Sequence, residues 1–129
     1  MTSPGLLLQA AFVAIIKDLG TAAGDRVFSE ISENAHYPYV QVWGGIEVPL
    51  DEDCFDRTET TLQVDVWAAP ETYLAAKEIP GQIRAAIHEK PLSIPGLVVD
   101  RVRVETIACS STPPRYRGRL SIAVETQPA

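Results

Sequence analysis

The stretch Thr60–His88, TTLQVDVWAAPETYLAAKEIPGQIRAAIH, changes its apolar period from two to nearly four across one proline, and its reading decides the fold. In the first nine residues Leu62, Val64 and Val66 alternate with Thr61, Gln63, Asp65 and Trp67, the pattern of a strand with one dry face. Pro70 ends that strand. Beyond it Tyr73, Ala76, Pro80, Ile83 and Ile87 fall along one helical stripe, with Arg84 and His88 turned toward solvent. Pro80 removes a backbone hydrogen bond and crowds the preceding turn, which predicts a kink costing about 3 kcal/mol, or two shorter helices. The stretch holds no catalytic motif.

Working outward toward the N-terminus, Ser3 and Pro4 supply a helix start: a hydroxyl for the free amides, then a proline where no amide is needed. Leu8, Phe12, Ile15 and Leu19 share the predicted buried face, and the helix runs to about Lys17 or Leu19 before Gly20. "DRVFSEI" reads as a short strand. "YVQVWGG" alternates Val40 and Val42 with Tyr39, Gln41 and Trp43, with Pro38 at its beginning or on an edge. From Gly44 to Glu59 the alternation is lost, which predicts a long loop.

Toward the C-terminus, "LVVDRVRVETIA" places Val98, Val102 and Val104 on one face and Arg101, Arg103 and Glu105 on the other. "RLSIAVET" repeats the pattern with Leu120, Ile122 and Val124. "CSSTPPRYRG" between them reads as a long hairpin loop. The predicted fold is one α+β domain over residues 1–129, a mainly antiparallel sheet of four to five strands with two helices packed on one face.

Composition narrows the function. A chain of 129 residues with 46% apolar residues buries one core and has no room for a second domain. No apolar run is long enough to span a bilayer, and "GLLLQAAFVAII" lacks a basic leader, so a soluble protein without membrane contact is expected. A net charge of −6 opposes long-range attraction to nucleic acid. Cys54 and Cys109 match no zinc spacing and are read as reduced packing residues.

No constellation carries an enzyme signature, and no cofactor is implied. His36 and His88 have no partner at ligand or general-base spacing, and Ser110 and Ser111 have no positioned base. "DEDCFD" crowds Asp51, Glu52, Asp53 and Asp56, but it lacks the pattern of a calcium loop and reads as a solvated acidic loop. "RYRGR" sets Arg115, Arg117 and Arg119 at alternate positions around Tyr116. On an acidic chain such a patch favours contact with protein over nucleic acid, and an acidic loop beside a basic one points to self-complementary assembly. The candidate interface is therefore Asp51, Glu52, Asp53, Phe55 and Asp56 with Arg115, Tyr116, Arg117 and Arg119.

Three blocks carry a family resemblance: "SENAHYPYVQVWG", the strand-to-helix stretch quoted above, and "PLSIPGLVV" with "YRGRLSIAVE". Together, over about Asn34 to Glu125, they resemble the tail-completion or tail-terminator proteins of long-tailed bacteriophages, prophages and gene transfer agents, related in fold to the lambda tail protein U. Pro80 and Tyr116 depart from the family pattern. The resemblance implies a structural virion protein at the head-proximal end of the tail, made in the host cytoplasm. It would form a hexamer that caps the tail tube, stops its growth and meets the head connector, with DNA passing through the lumen unbound. A head-closure or neck adaptor is the alternative station, and a small-ligand-binding α+β module the alternative class.

Overall fold

The computed structural model describes residues 3–29, 36–52 and 55–129. Helix α1 spans Pro4–Asp18, and the Ser3 hydroxyl accepts the Leu6 amide at 3.3 Å, the expected cap with proline at the first helical position. Strands β1 (Val27–Phe28), β2 (Tyr39–Val42), β3 (Ile46–Glu52) and β4 (Phe55–Ala68) follow. A 3₁₀ turn at Pro70–Thr72 leads into α2 (Ala75–Ile87), and β5 (Leu97–Thr112) and β6 (Arg115–Pro128) complete the chain. Among the described residues no helix is long and apolar enough to cross a membrane.

The sheet order is β1-β2-β4-β6-β5, antiparallel except for β1 with β2, and β3 pairs with β4 on the edge that β2 also uses. It is an α+β fold with six strands rather than four to five. The additional strand lies where a long loop was expected: β3 runs antiparallel to β4 from Ile46↔Thr61 to Glu52↔Phe55, so Gly44 to Glu59 is mostly hairpin. Its alternation is hidden because β3 is an edge strand with no dry face among its described side chains: Ile46 is 72% exposed and Val48 51% exposed, and Pro49 is tolerated there. Gly45 lets the chain approach β4 closely at the start of β3, since a Cβ there would lie 2.5 Å from the Thr61 carbonyl oxygen.

Both helices cover one face. Leu8, Phe12 and Ile16 of α1 and Ile79, Ile83 and Ile87 of α2 join Val40, Val42, Leu62, Val64, Val66, Val102, Val104, Leu120, Ile122 and Val124 in one core. The α1 face is thus centred on Leu8, Phe12 and Ile16 at a spacing of four, with Ile15 partly buried against the same core and Leu19 exposed. In α2 Ile79 is buried and Tyr73 is exposed, because Tyr73 lies in the turn before the helix begins. Val98 is exposed: register shifts at Val99/Arg101 and Val104/Thr106 displace the alternation, so Val99 packs on the core instead. His88 has a structural role at the second shift, where its Nδ1 accepts the Val104 amide at 2.9 Å.

Pro80 sits inside one unbroken helix, so neither of the expected breaks occurs. The carbonyl it deprives of a donor, that of Ala76, faces β6 at Gly118. A Cβ on Gly118 would lie 2.1 Å from the Ala76 oxygen and 2.8 Å from Pro80 Cγ, so only glycine admits the helix this close. The Cys109 thiol donates to the same oxygen at 3.7 Å. Cys109 is otherwise exposed rather than a packing residue, and Cys54 and Asp53 lie outside the described residues.

Candidate functional site

The second hairpin is also tighter than its composition suggests. β5 and β6 pair to Thr112↔Arg115, leaving Pro113 and Pro114 as the turn, with the peptide between them cis. Ser110 and Ser111 are consequently strand residues, and so are Arg115, Tyr116, Arg117 and Arg119. Alternation along β6 then sorts them. Tyr116 shares the helix side with Leu120, while Arg115, Arg117 and Arg119 share the outer face, away from the helices.

On that outer face Trp67 lies opposite Arg117, and Asp65 lies opposite Arg119. Asp65 is fully buried. Arg119 grips it with Nε at 2.8 Å and Nη2 at 3.2 Å, Trp43 Nε1 donates at 2.7 Å, and Gln63 Nε2 donates at 3.2 Å. Four donors replace the water that this carboxylate lost on burial. The hydrogen bond that Arg119 donates to Asp65 raises the Arg119 pKa against the cost of desolvation, and the Asp65 charge raises it further.

Two residues along the strand the compensation ends. The guanidinium carbons of Arg115 and Arg117 each lie 5.5 Å from the Trp67 ring centroid, and no carboxylate pairs with either among the described residues. The other arginines of the sheet do have acids: Arg57 reaches Asp100 and Glu125, Arg101 reaches Glu89, and Arg103 reaches Glu59 and Glu105. The Trp67 indole N–H is closed off from solvent without an acceptor among the described residues.

Two grooves meet at Arg117. One, of about 250 Å³, is lined by Trp67, Ser110, Pro113, Pro114, Arg115 and Arg117. The other, of about 430 Å³ on the helix side, is walled by the Tyr73 and Tyr116 rings, 5.9 Å apart, with Lys77 beside them. Trp67, Tyr73 and Lys77 carry no interface signal in the sequence, because they reach this place only through pairing of β4 with β6 and docking of α2.

The acidic candidates lie elsewhere. Asp51 pairs with Asp56 and Glu52 with Phe55 at the far end of the β3–β4 hairpin, whereas Ala68 at the other end of β4 pairs with Tyr116. Thirteen residue steps along β4 separate the two ends, roughly 40 Å. The structure therefore groups Arg115, Tyr116 and Arg117, holds Arg119 within the chain on Asp65, and sets the acidic group at the opposite pole.

The family model for the tail completion protein gp17 matches residues 9–123. Among solved structures, the chain is similar to one in the virion of a native gene transfer agent particle, with a TM-score of 0.73 and 11% identity over 95% of this chain and 92% of that one. A second solved protein gives a TM-score of 0.67 and 16% identity, covering 98% of this chain and 97% of its own. No curated protein sequence matches the chain. At these identities the structural matches establish a shared fold.

Proposed function

The chain belongs to the tail completion protein gp17 family, and is thus a structural protein of a phage-type tail; from that premise we propose that it forms the ring that closes the tail tube. The ring is a hexamer that caps the last layer of tube subunits, stops their polymerisation and presents its other side to the head connector, with DNA passing through the lumen. The role is structural rather than catalytic.

The observation that supports this most directly is the separation of an acidic pole from a basic, aromatic pole on one subunit. A cyclic ring requires two different patches per subunit, each meeting the other kind on a neighbour. The outer strands, β1 and β3 on one side of the sheet and β5 on the other, offer further unlike surfaces to the tube and the connector. The likeness to a chain of a gene transfer agent virion is consistent with a place in the assembled particle.

Electron microscopy of tails assembled with and without the chain tests the proposal. Expected are tubes of uniform length bearing a ring at the head-proximal end, and overgrown tubes when the chain is omitted. Tubes of unchanged length, with the chain located in the neck away from the tube, would make it an adaptor instead.

A further inference from the structure

Arg115 and Arg117 form an arrangement that a monomer does not explain. Two like charges are held over one indole ring, where each makes a cation–π contact and their mutual repulsion opposes it. Beneath them the Trp67 N–H lacks an acceptor among the described residues. Cationic groups without anions call for a carboxylate or phosphate oxygen as ligand. Lys77, at the far wall of the adjoining groove, extends the same demand around Arg117.

We propose that these two grooves receive the acidic end of the β3–β4 hairpin of a second copy of this chain, with Asp51, Glu52 and Asp56 supplying the carboxylates. This rests on the ring reading above and identifies its subunit contact. Charge complementarity selects the occupant. The hairpin end concentrates acids in the sequence, Asp51, Glu52, Asp53 and Asp56 lying within six residues, while Arg115 and Arg117 have no carboxylate among the described residues. The contact cannot close within one subunit, because the two poles lie at opposite ends of β4. It therefore propagates head to tail from copy to copy and ends when a ring closes. Duplex DNA offers anions of the same type, but an acidic chain repels it overall.

Two charge-reversed proteins test this contact. One carries Arg115→Glu and Arg117→Glu, and the other carries Asp51→Arg, Glu52→Arg and Asp56→Arg. Alone, each presents like charges at both poles and should raise the concentration for half-assembly by about 100-fold at low salt, read by light scattering. Mixed one to one, each reversed pole meets its complement on the other protein, and assembly should return as an alternating ring.

Failure of the mixture to assemble, with both proteins folded by circular dichroism, would overturn the contact, as would undiminished assembly of either protein alone. Loss of duplex DNA retardation in the Arg115→Glu, Arg117→Glu protein with its ring intact would assign the arginines to phosphate instead. A wild-type chain that stays monomeric even on purified tail tubes would remove the ring itself, an outcome distinct from a ring indifferent to these charges.

Discussion

Arg119 and Arg117 stand two residues apart on one strand and face the same way, yet their surroundings are opposite in kind. Arg119 is neutralised by a buried aspartate that also satisfies Trp43 and Gln63. Arg117 shares an aromatic ring with another arginine and has no acid of its own among the described residues. A charge compensated inside the subunit belongs to the fold, whereas a charge held in place without compensation is available to a partner. Three arginines at alternate positions therefore divide into one compensated within the fold and two without an acid among the described residues.

The largest test of that division removes the compensated charge. Arg119→Met should destabilise the monomer by about 3–5 kcal/mol in urea unfolding, because Asp65 stays buried with only Trp43 and Gln63 as donors. Replacing Asp65 with leucine in the same protein should restore much of the loss, since no uncompensated charge then remains in the site. A loss below about 1 kcal/mol for Arg119→Met would place Arg119 with its two neighbours.

Gly118, between the two arginines, tests the opposite side of the strand. Gly118→Ala should cost about 1–3 kcal/mol, because the new methyl group meets the Ala76 carbonyl and the Pro80 ring of α2. An unchanged urea midpoint would mean that α2 docks less rigidly on β6 than its contact there implies.

Reversing the uncompensated charges is expected to do least to the fold. Arg115→Glu with Arg117→Glu should shift monomer stability by less than about 0.5 kcal/mol, as for other surface substitutions, while assembly collapses. A large stability loss would show that stacking on Trp67 is structural.

The smallest effect lies at Tyr39, which senses both regions. Burial raises its pKa most, Tyr37 raises it further, Arg115 lowers it and Asp65 raises it. A phenol with a raised folded-state pKa keeps its proton longer in the folded than in the unfolded chain. Its contribution is therefore complete below pH 10 and lost as the pH rises from there through the folded pKa. Melting temperatures measured from pH 9 upward should fall faster for the wild type than for Tyr39→Phe.

Read without coordinates, the chain determines those elements whose pattern is local. Leu62, Val64 and Val66, and likewise Leu120, Ile122 and Val124, alternate because one face of a central strand is dry along its length, and Ser3 with Pro4 caps α1 through contacts within one turn. The family is legible for the same reason, since its blocks coincide with these elements. Tertiary structure decided the remainder. β3 has no dry face among its described side chains and so leaves no alternation, bulges shift the parity of β5 so that Val98 and Val99 exchange places, and Pro80 is accommodated by a glycine on a distant strand. The fate of each arginine depends on which residue pairing sets beside it. Asp65 and Arg119 are 54 positions apart, and no local pattern reports that distance.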